Sequence, residues 1–318
     1  MALGEFELIA RYFTAERFAV SAAGVVLGIG DDCAIVRVPA AEDLLISVDT
    51  LVAGVHFPAD FDPAHLAQRA LAVNLSDLAA MGARPAWFTL ALTLPAVDEP
   101  WLAAFSAALA AFARRFDIAL VGGDTTRGPL SITVQVHGTV PAGSALRRDG
   151  ACAGDELWVS GQPGLAALGL RHILAGNAET AAARVFLQPE PRIALGAALR
   201  GVASAAIDVS DGLLADAGHI AERSGVAIVV EPSRLPLAAE LTRLADRDDA
   251  LSLVLGGGDD YELCFTAAPA RAAEITGIAN ALGLPCTRIG RVEQGAGVRA
   301  EGFVPQRAGY RHFADANA

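Results

Sequence analysis

Ala72-Val73-Asn74-Leu75-Ser76-Asp77-Leu78-Ala79-Ala80-Met81-Gly82 closes a helical pattern that opens at Asp62-Pro63. Asp62 supplies an N-cap, and Pro63 suits the first helical position, where a missing N–H costs nothing. The helix is predicted to run to about Met81 and to stop at Gly82. Aspartate is a poor helix-interior residue, yet Asp77 stands in an alanine- and leucine-rich stretch. Asn74, three residues earlier, shares its face. A buried carboxylate needs a partner, and no cation lies within a turn: Arg69 is too far back and Arg84 lies beyond Gly82. A metal ion is one partner that fits, and a distant arginine is another.

Outward from this helix, short apolar or alternating runs read as strands: residues 34–38, 44–48, 87–94, 118–121 and 131–140. A second helix is expected over 98–116. Turn residues crowd 141–155, and a domain boundary is placed near residue 145, giving an N-terminal domain 1–145 and a C-terminal domain 146–318. The second half restarts with a strand over 156–160 and a helix from about Gly164. Strands over 205–209, 226–230, 261–266 and 287–292 follow, with a helix over 211–224 closed by Gly225. The pattern predicts an α/β (α+β) chain of two domains with mixed sheets covered by helices.

Composition narrows the function. A hydrophobic share of 53% against 19% charged belongs to a well-buried globular chain of 318 residues. A net charge of −12 without a basic run argues against nucleic acid and against an electrostatic membrane anchor. All 24 cationic side chains are arginine. With no lysine there is no Walker A loop, no Schiff base and no kinase strand lysine. The four cysteines form no Cys-x-x-Cys pair, which argues against a zinc site or a disulfide framework. Glu5, Glu7 and Arg11 argue against a signal peptide, and a cytoplasmic protein is expected.

Five acidic clusters stand out: Gly28-Ile29-Gly30-Asp31-Asp32-Cys33, Ser47-Val48-Asp49-Thr50, Asn74-Leu75-Ser76-Asp77, Gly122-Gly123-Asp124-Thr125-Thr126 and Asp208-Val209-Ser210-Asp211-Gly212. Each has a plain explanation, since Asp beside Gly is common in turns. Ser210 could be an N-cap, and Asp211 could stabilise a helix N-terminus. If the clusters converge, mutual repulsion would demand divalent cations; carboxylates about 4 Å apart repel by about 4 kcal/mol at an effective dielectric near 20. Oxygen-only donors suit Mg²⁺ or Mn²⁺, which commonly bridge carboxylates to substrate phosphates. Gly122-Gly123, and Gly256-Gly257-Gly258 before Asp259-Asp260, remove side chains where backbone must approach a ligand.

Together these blocks resemble the thiamine-monophosphate kinase family, of the superfamily that includes aminoimidazole ribonucleotide synthetase. Also part of the resemblance are Val48 to Phe57, Gly257-Gly258-Asp259-Asp260-Tyr261-Glu262-Leu263, and the ends Gly4-Glu5-Phe6 and Gly309-Tyr310-Arg311-His312-Phe313. The resemblance implies a PurM-like two-domain fold and ATP-dependent phosphorylation of thiamine monophosphate by a homodimer. It implies that the N-terminal domain binds ATP and Mg²⁺ and dimerises, while the C-terminal domain completes the nucleotide and substrate site. It further implies Mg²⁺ held by Asp32, Asp49, Asp77, Asp124, Asp208 and Asp211. Gly123, Asp124, Arg148 and Ser210 would meet the nucleotide, and His56, Asp259 and Tyr310 the thiamine phosphate. The chain departs from the family at Val48, often Ser or Thr, and at Asp259, usually Glu.

The implied chemistry needs no general base, because a phosphate monoester with a second pKa near about 6 is already anionic at neutral pH. Direct in-line transfer without a phosphoenzyme is expected. A metal-dependent phosphatase and a nucleotide-binding regulator without turnover remain open as rivals. Selenophosphate synthetase is disfavoured for want of a reactive N-terminal Cys and a Lys, and the hydrogenase-maturation relative for want of a terminal Cys.

Overall fold

The structure is a computed structural model and describes residues 5–13, 18, 24–305 and 309–310. Gly4 and residues 311–313 of the terminal motifs lie outside the described residues. The chain divides into two compact units, Met1–Leu78 with Ala83–Gly143, and Ala79–Gly82 with Ser144–Ala318.

The first unit runs α1 (Glu5–Tyr12), β1 (Val25–Leu27), β2 (Ile35–Val36), β3 (Glu42–Val52), α2 (Pro63–Ala80), β4 (Arg84–Leu94), α3 (Glu99–Arg115), β5 (Ala119–Arg127) and β6 (Ser131–Pro141). Its four-stranded sheet has the order β3-β6-β4-β5, antiparallel except for the β4–β5 pair. α2 starts as predicted: the Ala64 and His65 N–H groups donate to Asp62 Oδ1 at 2.9 and 3.0 Å. It ends at Gly82, whose φ of 69° suits a residue without Cβ. Strand β6 alternates cleanly, burying Ile132, Val134 and Val136. A Cβ on Gly138 would meet Leu78 at 2.9 Å, so α2 lies directly over this face. On the other face Val25, Ala34 and Val38 pack on Trp87, Ala119 and Val121. That cover stops short of β3, where Leu44, Ile46 and Val48 are 39–57% exposed.

The second unit continues β7 (Glu156–Ser160), α4 (Leu165–Leu174), α5 (Ala181–Leu187), α6 (Ile193–Leu199), β8 (Ala205–Asp208), α7 (Leu213–Ser224), β9 (Ala227–Val230), α8 (Ala239–Thr242), α9 (Arg247–Gly256), β10 (Leu263–Ala267), α10 (Ala272–Leu282), β11 (Cys286–Glu293) and β12 (Gly297–Ala300). The six-stranded sheet has the order β12-β9-β11-β7-β10-β8, with only β12–β9 parallel. β7, β8 and β10 are almost continuously apolar because both faces are covered. Leu157, Val159, Ile207 and Cys264 point into one core with α7 and α9. Trp158, Ala206, Leu263 and Phe265 point into another with α6 and α10. The mixed sheets and covering helices match the fold class expected from the sequence.

Candidate active site

In the first unit the structure pairs Asp49 with Asp77. β3 presents odd-numbered residues toward α2 and even-numbered ones away from it, so Asp49 turns inward while the Val48 side chain is exposed. Asn74, buried on α2, clips the two elements together: its Oδ1 accepts from Asp49 N–H at 3.0 Å and its Nδ2 donates to Ala70 O at 2.9 Å. One turn on, Ser47 Oγ donates to Asp77 Oδ2 at 2.5 Å. A serine on the neighbouring strand therefore supplies the partner that the helix itself lacked. Burial, and then the Asp77 charge, push Asp49 up to about 6.

Two carboxylates that feel each other's charge form a donor set of the kind a hard divalent cation takes. Burial and the Asp77 charge both oppose ionisation of Asp49, and a cation beside the pair would favour it. Mg²⁺ therefore fits this pair. Within neither unit do three or more His, Cys, Asp or Glu side chains gather as a metal group among the described residues.

Asp32 and Asp124 share a different feature of the same unit. Both line a cavity of about 470 Å³ bordered by Phe13, Asp31, Gly122 and Gly123, a size that suits a small ligand. Asp31 Oδ1 accepts from Asp32 N–H at 2.8 Å, fixing that loop. At Gly123 a Cβ would run into the Leu90 carbonyl of the parallel neighbour β4, so the register that brings Asp124 to the rim admits only glycine. His56 lies in the turn after β3, where its Nδ1 accepts from Val52 N–H at 3.0 Å. The neutral ring then carries its proton on Nε2.

In the second unit the Asp208–Gly212 loop is held from two sides. Asp208, at the end of β8, is 4% exposed. Val209 N–H donates to Glu262 O, and Tyr261 N–H donates to Val209 O, both at 2.8 Å. Asp259 N–H reaches Ser210 O at 2.8 Å, and Tyr310 N–H reaches Asp211 O at 2.9 Å. Ser210, Asp211, Asp259 and Tyr310 thus meet at one backbone node. Gly258 makes the crossing possible, since a Cβ there would lie 2.6 Å from Ser210 O.

Neither Ser210 nor Asp211 caps the following helix, and α7 begins at Leu213 rather than at 211. The N–H groups of Ser210, Asp211 and Gly212 instead converge on Oδ2 of Asp216 at 3.0, 3.1 and 3.1 Å. Such a row of N–H groups could serve as an anion nest, but here it is filled from within. Burial drives the Asp216 carboxyl up to about 7 against those three donors, with the Asp211 charge adding to the rise.

Asp259 and Tyr261 both have left-handed backbone, at φ 64° and 51°. Such conformations cost non-glycine residues on the order of 1–2 kcal/mol each, and strain of this kind gathers at functional sites. The strain is held by Asp260, buried between them. Both its oxygens accept from Gly164 N–H at 2.8 Å, at the start of α4. Burial raises the Asp260 carboxyl well above its usual range, with Glu262 and Asp259 adding to it. Glu262 takes Arg192 in a two-pronged ion pair at 2.7 and 2.5 Å and accepts from Ser160 Oγ at 2.5 Å. Burial works against the Arg192 charge, but the Glu262 carboxylate more than offsets it and raises its pKa.

Arg148 stands apart from the node: its guanidinium is exposed, and its carbonyl accepts from Ser224 Oγ at 2.8 Å, at the far end of α7. Ser47, Asp216, Asp260 and the Glu262–Arg192 pair went unrecognised in the sequence. Ser47, Asp260 and Glu262 lay inside quoted motifs without being given a role, while Asp216 and Arg192 lay outside them.

Two halves of the chain match two halves of one protein class. Residues 30–140 match the model for AIR synthase related protein, N-terminal domain, and residues 153–302 that for the C-terminal domain. The thiamine-monophosphate kinase of Salmonella typhimurium is 51% identical over 99% of both chains. The crystal structure of the Stenotrophomonas maltophilia thiamine-monophosphate kinase is 50% identical, with a TM-score of 0.87 over 97% of this chain and 98% of that one. A structure of AaThiL complexed with AMPPCP and TMP is 32% identical, with a TM-score of 0.79 over 98% and 99%. The chain belongs to the AIR synthase related family and, within it, to the thiamine-monophosphate kinases.

Proposed function

We propose that this chain transfers the γ-phosphoryl group of ATP to thiamine monophosphate, forming thiamine diphosphate. The observation that carries this reading is end-to-end likeness to thiamine-monophosphate kinases, in sequence and in fold. Asp32, Asp49, Asp77, Asp124, Asp208 and Asp211 would hold Mg²⁺; support comes from the Asp49 carboxyl, raised by burial and by the Asp77 charge. When bound, Mg²⁺ neutralises phosphate charge.

Gly123 lets the nucleotide approach the backbone beside Asp124, and Arg148 and Ser210 are its further contacts. Residues 1–145 carry the ATP and Mg²⁺ site, and 146–318 complete it and bind substrate. His56, Asp259 and Tyr310 face thiamine monophosphate, and the Asp259 carboxylate suits its cationic ring. No side chain acts as a general base, because the attacking phosphate oxygen is already an anion. Transfer is direct, and an aspartyl-phosphate would contradict it.

The molecule acts as a homodimer. Support comes from the exposed apolar row Leu44, Ile46 and Val48 on β3, a face that favours burial against a second copy. It works in the cytoplasm, in keeping with four cysteines that are all unpaired thiols. Among the described residues no helix is long and apolar enough to cross a membrane. Incubation with ATP, Mg²⁺ and thiamine monophosphate, followed by chromatography of the thiamine species, tests the reading. Thiamine diphosphate is expected; free phosphate without it would make the protein a phosphatase.

A further inference from the structure

We infer that Tyr261 is a positioning residue that fixes the Asp259 carboxylate for thiamine monophosphate, an inference that rests on the substrate-facing role proposed for Asp259. The main chain forces the two side chains together. Asp260 between them is buried and tied to the start of α4 through Gly164 N–H, with Ala166 N–H at 3.4 Å. On either side the chain is pinned, by Asp259 N–H to Ser210 O and by Tyr261 N–H to Val209 O. With the middle side chain facing inward and both neighbours in left-handed backbone, the Tyr261 hydroxyl reaches Asp259 Oδ1 and donates to it at 3.0 Å.

The two partners differ in what holds them. Tyr261 is 8% exposed, so its ring is set by the core and its hydroxyl occupies a fixed point. Asp259 is half-buried. The hydroxyl gives one carboxylate oxygen a fixed donor at 3.0 Å, and so ties the direction of this short side chain to the core. The tyrosine is thus a fixed stop that transmits the order of the core to the surface of the site.

The test is a cycle of Tyr261→Phe, Asp259→Gly and the double variant in steady-state kinetics, each substrate varied in turn. Glycine is chosen at 259 because it accepts the left-handed backbone. Y261F is expected to raise KM for thiamine monophosphate roughly ten-fold, the scale of a hydrogen bond to a charged group. KM for ATP should stay within about two-fold. In the D259G background Y261F should add nothing. If D259G raises KM for thiamine monophosphate and Y261F does not, this inference falls alone. If D259G has no effect either, the role of Asp259 falls with it. A Y261F effect equal for both substrates, or undiminished in D259G, would make Tyr261 a packing residue and overturn the proposal. Should Y261F fail to fold, the unmodified tyrosine can be followed by NMR. Of the three tyrosines, Tyr12 is also buried and donates to Glu99, so its resonance is assigned with Tyr12→Phe; the slowly exchanging hydroxyl proton of Tyr261 is expected in the parent and lost in D259G, and its persistence would refute the contact.

Discussion

Replacing Asp216 with Asn should make the metal-free protein more stable, and increasingly so as pH rises. The parent carboxyl is 3% exposed and titrates near 7 instead of 3.8. A carboxyl whose folded pKa lies above its unfolded one favours folding below the unfolded value. That contribution fades as pH climbs through the folded value. About three pH units at 1.36 kcal/mol each give a loss of about 4 kcal/mol between pH 4 and 8. Somewhat more than half of it falls above pH 5. The amide of D216N keeps an oxygen for the N–H groups of Ser210, Asp211 and Gly212 and carries no charge, so it escapes the loss. Thermal melts in chelator from pH 5 to 8 should show D216N gaining on the parent by about 3 kcal/mol, or on the order of 10 °C. A flat difference, or a parent that is the more stable form at pH 8, would refute the reasoning. The three N–H groups would then outweigh burial and hold an anion.

Asp124→Ala should abolish thiamine diphosphate formation while shifting stability by no more than about 0.5 kcal/mol, because the side chain is exposed on β5; a melt alongside the kinase assay checks both. Gly123→Ala must displace the Leu90 carbonyl, and kcat/KM for ATP should fall about a hundred-fold. Arg192→Met leaves Glu262 buried without its cation and should cost about 3–5 kcal/mol in urea unfolding, much of it recovered when Glu262 is also made apolar.

Local signals read well in this chain. Asp62, Pro63 and Gly82 mark α2 to within two residues of its observed ends, because caps and terminators act over a single turn. Asp98 caps α3 by accepting from Trp101 N–H at 3.1 Å, in line with the helix expected over 98–116. Alternation revealed β6 for the same reason. What the sequence did not reveal lies where partners come from afar. Asp77 gains a donor, Ser47, from another strand, and the start of α7 is occupied by Asp216 instead of its predicted caps. Asp260 bonds to Gly164, far back in the chain, so nothing near residue 260 in sequence signals its anchoring role. The left-handed backbone of Asp259 and Tyr261 follows from that distant anchor, and propensity alone argues against it.

The most direct measurement is one turnover with γ-labelled ATP, Mg²⁺ and thiamine monophosphate, quenched and resolved into protein, free phosphate and thiamine species. Label should pass straight to thiamine diphosphate, with none on the protein at any time, and the transfer should vanish in Asp77→Ala. Label on an aspartate, or label released as phosphate while thiamine monophosphate stays unchanged, would contradict direct transfer by these carboxylates.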